Sequence, residues 1–122
     1  MITNKIIKFS DLSQLRKKNK KLKIILAHGT FDLFHYGHLK HLEKSKKKAD
    51  VLVVSITADK YVKKGPDRPI YNENHRASIL SNLEFVDYVT IVKSESGVEV
   101  INLLKPDFYS KGIEYKKFNN DH

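Results

Sequence analysis

"LAHGTFDLFHYGHLKHLE", residues 26–43, joins an apolar run to a helical pattern through two glycines and two histidines. Upstream, "KLKIILAH" (21–28) reads as a strand that stops at Gly29. From Gly37 the spacing changes, and Leu39 and Leu42 share one face of a helix predicted over 37–50, with lysines gathered near its end. A strand therefore hands over to a helix at a glycine- and histidine-rich turn.

Further along, "VLVVSIT" (51–57) is the continuous β-rich run of a strand buried on both faces. A loop broken by Gly65, Pro66 and Pro69 fills 58–72, and Ala77, Leu80 and Leu83 give helical spacing over 72–84. "VDYVTIV" (86–92) predicts a strand, "SGVEVINLLK" (96–105) by its numbering a helix ended by Pro106, and "PDFYSKG" (106–112) a last short strand. The final stretch, "EYKKFNNDH", is expected to fray. At the other end, "FSDLSQLRKKNKK" (9–21) reads as a helix with Ser10 as its N-cap and Leu12 and Leu15 on one face. The expected organisation is a helical lead-in over 1–20 and one domain over 21–122.

After the lead-in the order is β-α-β-loop-α-β-α-β. That alternation specifies an α/β fold, a parallel sheet with right-handed crossovers and helices on both faces. Ligands of such sheets bind beyond the carboxyl ends of the strands. The turn after residue 28, the loop after Thr57 and "SKG" (110–112) all fall on that edge.

The totals agree with one globular domain: 122 residues, 40% hydrophobic and 30% charged. Without cysteine there is no disulfide framework and no thiolate metal site. No apolar run approaches a membrane span and the N-terminus lacks a signal-peptide core, so a cytoplasmic protein with no membrane partner is expected. The net charge of +9, concentrated in "RKKNKKLK" and "KSKKK", suits either a solvated surface or an anionic partner. Nucleic acid is disfavoured, because no aromatics interleave the basic runs to stack bases.

The turn itself is suited to anions. Gly29 allows a sharp turn and a close approach to the backbone, and the amides of Thr30 and Phe31 can face a ligand. The helix starting near Gly37 adds unpaired N–H groups and the positive end of its dipole. His35 and His38 beside it supply donors of the kind that stabilise a transferring phosphoryl group. Lys63, Lys64 and Arg68 in the loop, and Arg76 at the next helix, add cations for a triphosphate, a task Mg²⁺ normally shares. Each residue also has a plain alternative. The histidines can simply cap a helix or, with His41, form a poorly convergent zinc site. Asp32 can shape the loop as an Asx turn. Arg68 and Arg76 can be surface charges.

The motif Gly29-Thr30-Phe31-Asp32 followed by His35-Tyr36-Gly37-His38 resembles the signature of the nucleotidyltransferases with a His-x-Gly-His motif, in their cytidylyltransferase-like group. "GTFDLFHYGHLKHLEKSK" is similar to glycerol-3-phosphate cytidylyltransferases. "KKGPDRPIYNENHRASILSNLEFVDYV" and "LKPDFYSKGIEYKK" resemble the adenylyltransferase domain of ADP-heptose synthases. The resemblance implies the Rossmann-like nucleotidyltransferase fold and transfer of CMP or AMP from CTP or ATP to a phosphorylated sugar or polyol, with Mg²⁺ accompanying the triphosphate. It implies catalytic roles for His35, His38 and Lys64. Nucleotide binding would fall to Gly29, Thr30, Phe31, Asp32, Gly37, Arg76, Lys111 and Gly112, with an acidic residue at Asp59 and a homodimer as a further implication. The family pattern continues past the last strand into a Ser/Thr-rich segment, whereas this sequence ends at His122. A non-catalytic nucleotide- or RNA-binding module and an inactive fragment are the alternatives.

Overall fold

The structure, a computed structural model, describes residues 5–63, 65–94, 97–111 and 114–117, with 111 and 114–117 described as backbone. In chain order the elements are β1 (Ile6–Ile7), α1 (Leu12–Lys18), β2 (Ile24–Gly29), α2 (Tyr36–Lys46), β3 (Val51–Thr57), α3 (Glu73–Ser81), β4 (Tyr88–Val92), α4 (Val98–Leu104), β5 (Phe108–Lys111) and β6 (Glu114–Lys117). The strands form one sheet in the order β1-β4-β3-β2-β5-β6. All neighbours run parallel except β5 and β6, which are antiparallel.

This is the expected α/β, Rossmann-like architecture, with differences at the ends. The last stretch does not fray at 114–117 but returns beside β5 as a strand, its Tyr115 in register with Ser110. Ser10 does not cap α1: it lies within a 3₁₀ turn over Phe9–Asp11, and Asp11 occupies the cap position without a side-chain hydrogen bond. Ile6 and Ile7 pair with Val89 and Thr90, and Leu12 and Leu15 join the core, so the lead-in shares the sheet and core with the rest.

Two apolar layers hold the sheet. Residues of α2 and α3 (Leu42, Ala77, Leu80) pack on Ile25, Ala27, Leu52, Val54 and Ile56. On the other face, residues of α1 and α4 (Leu12, Leu15, Val100, Leu104) pack on Ile24, Leu26, Val51 and Val53. Successive side chains of a strand point to opposite faces, so β3, covered on both sides, is buried throughout. That is why its composition is so uniformly apolar.

The two edges of the sheet carry different groups. At the amino edge, Asp107 Oδ2 accepts from the Ile24 amide at 2.9 Å and from Arg16 Nη2 at 3.1 Å. Asp87 Oδ2 likewise accepts from the Leu52 amide at 2.8 Å and from Lys46 Nζ at 2.7 Å. These carboxylates satisfy the first amide of β2 and the second of β3. The carboxyl edge carries the glycine- and histidine-rich turn instead. Among the described residues no helix is long and apolar enough to cross a membrane.

Candidate functional site

The start of α2 is built from its own histidines. His35 is the N-cap, in extended conformation, and its Nδ1 accepts from the Gly37 amide at 3.0 Å. His38 Nδ1 in turn accepts from the His35 amide at 3.2 Å. The reciprocal arrangement is that of a capping box with imidazoles in place of the usual side chains. The capping alternative and the anion-binding reading therefore describe the same two residues. An Nδ1 that accepts carries no proton, so a neutral ring holds its hydrogen on Nε2. The cap thus fixes one tautomer for both rings, with Nε2–H as the donor.

Packing fixes their orientation. The two rings stack with centroids 3.9 Å apart and planes at 29°. His38 is also stacked on Phe34 and met edge-on by Phe31, each at 5.5 Å. Gly37 is required by the same arrangement, since a Cβ there would lie 2.8 Å from His35 Cε1. At Gly29 a Cβ would lie 3.0 Å from the Phe31 ring, which folds back over the end of β2 with a positive φ of 52° at Phe31 itself.

Asp32 and Arg76 organise the loops around this turn. Asp32 Oδ2 accepts from the Ile70 amide at 2.8 Å and from Arg68 Nη1 at 3.2 Å, and Oδ1 accepts from the Tyr71 amide at 2.9 Å. Burial alone would raise its pKa; the Tyr71 and Ile70 amides and the Arg68 guanidinium outweigh it and hold the carboxyl below its usual range. Asp32 thus ties the turn after β2 to the loop before α3, across 38 residues of sequence.

Arg76 is not a surface charge. Its side chain is fully buried, and Nη1 donates to the carbonyls of Thr30 at 3.0 Å and Thr57 at 2.7 Å. Nε donates to the Tyr71 carbonyl at 3.0 Å and Nη2 to Asp59 Oδ1 at 2.6 Å. One guanidinium thereby joins the ends of β2 and β3 and the start of α3, using the forked donor geometry that lysine lacks. Arg76 meets the site through the Thr30 carbonyl.

Two recesses flank His38. One, about 420 Å³, is bordered by Phe31, Asp32, Leu33, His35, His38 and Arg68. The other, about 200 Å³, is bordered by residues 27–31, His38, His41 and Ser110. A larger, mainly apolar groove of about 650 Å³ lies apart from the histidines, along β1 and the end of β4.

The structure therefore brings together His35, His38, Gly29, Thr30, Phe31, Asp32 and Gly37 at one edge, with Arg76 behind them. Lys64 and Gly112 lie outside the described residues, and Lys111 is placed only as backbone at the end of β5. Among the described residues no group of three His, Cys, Asp or Glu has the geometry to hold a metal ion. His41 bonds Ser110 Oγ through Nε2 at 2.6 Å. Sequence reading missed that partnership and the burial of Arg76. The available signal for His41 was its spacing of three from His38, which puts both on one face of α2.

Comparison with known proteins gives a consistent result. The family described as cytidylyltransferase-like matches residues 26–120. The chain is 44% identical over 114 residues to the bifunctional protein HldE of Campylobacter jejuni subsp. jejuni (serotype O:6), which covers 92% of this chain and 24% of that protein. It is 43% identical over 112 residues to the bifunctional protein HldE of Aliarcobacter butzleri, covering 88% of this chain and 24% of that protein. The chain thus spans about a quarter of the length of the curated relatives it matches. Among solved structures, a lipopolysaccharide core biosynthesis protein from Thermoplasma volcanium superimposes with a TM-score of 0.66 at 32% identity over 72% of each chain. A pantoate-beta-alanine ligase from Francisella tularensis, solved with beta-gamma ATP and beta-alanine, shares the fold at a TM-score of 0.63 and 19% identity, over 85% of this chain and 54% of that one.

Proposed function

The chain belongs to the cytidylyltransferase-like family, and from that premise we propose that it transfers a nucleotidyl group from CTP or ATP to a phosphorylated sugar or polyol. The observation that carries this reading is the pair of imidazoles at 35 and 38, fixed by the α2 cap with Nε2–H as the donor atom.

In the proposed reaction an oxygen of the acceptor phosphate attacks the α-phosphorus of the triphosphate. The new P–O bond forms as the bond to the β-phosphate bridging oxygen breaks, and pyrophosphate leaves. A phosphate monoester has a second pKa near 6 and is already ionised at neutral pH, so the attack needs no strong general base. His35 and His38 donate to the phosphate oxygens on which charge accumulates, and the dipole of α2 favours the same charge. In this reading the Thr30 and Phe31 amides position the triphosphate, a role supported by the hold of Arg76 on that turn through the Thr30 carbonyl.

Magnesium enters this reading bound to the triphosphate. The nearby carboxylates fit that role better than a dedicated cage, because both oxygens of Asp32 accept from amides and Oδ1 of Asp59 is occupied by Arg76. In this reading Lys64, Lys111 and Gly112 contact the phosphates and base, and the protein works in the cytoplasm, with a homodimer compatible with the family.

A screen of CTP and ATP against phosphorylated sugars and polyols, read by pyrophosphate release, tests the proposal. Release that depends on one acceptor class supports it. Salt-sensitive RNA binding with no release under any pairing contradicts it.

A further inference from the structure

The basic runs "RKKNKKLK" (16–23) and "KSKKK" (44–48) lie outside the site described above, and the fold brings them together. α1 and α2 each lead into a strand of the parallel sheet, so both helices end at its amino edge. The turns that follow them are bonded to each other. The Lys23 amide donates to Asp50 Oδ2 at 2.8 Å, and the Asp50 and Val51 amides donate to the Lys23 carbonyl at 2.9 and 3.0 Å. Segments 27 residues apart at that contact thereby form one surface. It carries five exposed lysines from 17–23 and three from 44–48.

Helix C-termini favour cations, which accounts for Lys17, Lys18 and Lys44 in the last turns of α1 and α2. It does not account for Lys20, Lys21, Lys23 and Lys48, which lie past the helix ends. The aspartates of this edge are already engaged within the fold. Asp107 and Asp87 are each held by a strand amide and a basic side chain, and Asp50 Oδ2 by the Lys23 amide. The charge turned to solvent is therefore mainly that of lysine. Leu22, 40% exposed, stands in the same turn. Its amide donates to the Asn19 carbonyl at 3.1 Å, and its carbonyl accepts from Arg16 Nη1 at 3.2 Å, so the turn that presents it is fixed.

We infer that this amino edge docks on an anionic phospholipid surface, with the lysines over the headgroups and Leu22 entering between them. Lysine is a compact point charge that suits a diffuse field of phosphates. Recognition of nucleic-acid bases draws on aromatic stacking, and neither run contains an aromatic residue. Adsorption of this kind needs a basic face and no membrane-spanning helix, in keeping with the absence of such a helix among the described residues. β2 separates this edge from the histidine cap, and its six residues set the distance at about 20 Å. Docked this way, the protein keeps the recesses at His35 and His38 open to solution. The inference stands independently of the nucleotidyl-transfer reading.

The test is co-sedimentation of the 122-residue chain with vesicles of mixed phosphatidylglycerol and phosphatidylcholine, and with vesicles of phosphatidylcholine alone. The inference expects binding to the anionic vesicles only, weakening by about tenfold or more as ionic strength rises from about 0.05 to about 0.5 M. Each lysine near such a surface adds roughly fivefold to partitioning, so Lys20→Glu with Lys47→Glu should weaken binding by about tenfold or more. Lys8→Glu with Lys93→Glu makes the same change in net charge beyond the ends of β1 and β4, at the opposite edge of the sheet. That pair should leave binding within about threefold of the parent. Equal losses in the two double variants overturn the assignment, because net charge and not this face would then govern adsorption. No sedimentation with anionic vesicles at low ionic strength overturns it as well. So does retention of single-stranded RNA by a chain that ignores the vesicles. If the glutamate pair at 20 and 47 disturbs folding by circular dichroism, Lys20→Gln with Lys47→Gln decides in its place.

Discussion

The His35 ring lies across Gly37 so closely that a methyl group at 37 would fall 2.8 Å from its Cε1. The atom in the way is the far end of a side chain that can rotate, so the backbone need not move. Gly37→Ala should therefore swing His35 off the Gly37 amide and out of its stack with His38. The lost cap, about 1 kcal/mol, is offset by the better helix propensity of alanine, also about 1 kcal/mol. Thermal unfolding should change little while pyrophosphate release falls by about 10²-fold, the scale of a misplaced catalytic group. A variant with both properties unchanged would mean that the ring's position is irrelevant to turnover.

Arg76 and Asp59 form an unequal pair, one side chain fully buried and the other 39% exposed. Removing the arginine strands the Thr30 and Thr57 carbonyls inside the protein. Arg76→Ala should lower stability by about 3 kcal/mol or more, whereas Asp59→Asn should cost about 1 kcal/mol or less. Urea unfolding of the two variants measures the difference, and equal costs would show that Arg76 acts mainly through its ion pair.

Asp32 predicts an acid limb in the stability curve. Its folded-state pKa lies below the ordinary value near 3.9. The stabilisation is therefore complete above that value and is lost as pH falls through the folded pKa. Asp32→Asn should be less stable than the parent by a constant margin from pH 7 to about 5, and the margin should shrink below about pH 4. Urea midpoints at pH 7, 5 and 3.5 test this; a margin that widens in acid has the wrong sign for a depressed carboxyl.

Much of the architecture was legible because burial on both faces leaves a plain mark. "VLVVSIT" coincides with β3 from Val51 to Thr57. The strand–turn–helix at 24–46 was equally clear, because a helix cannot begin at histidines and glycine without a local reason. What escaped was non-local. A two-residue strand such as Ile6–Ile7 has no period to read, and its pairing with β4 is fixed by contacts 83 residues away. The return of Glu114–Lys117 beside β5 is carried by backbone pairing that a polar sequence does not advertise. Arg76 looks like any helix arginine until the Thr30 and Thr57 carbonyls are brought together by the fold. His41 and Ser110, 69 positions apart, are joined by tertiary contact alone.

The central claim is that the imidazole of residue 38, fixed by the cap of α2, stabilises the transferring phosphoryl group. Pyrophosphate release by His38→Ala, assayed with whichever of CTP and ATP the parent chain uses, tests it most directly. The account predicts a loss of about 10²- to 10³-fold in a protein that still unfolds cooperatively near the parent's temperature. Release within about twofold of the parent, a margin far smaller than any transition-state role allows, would contradict it.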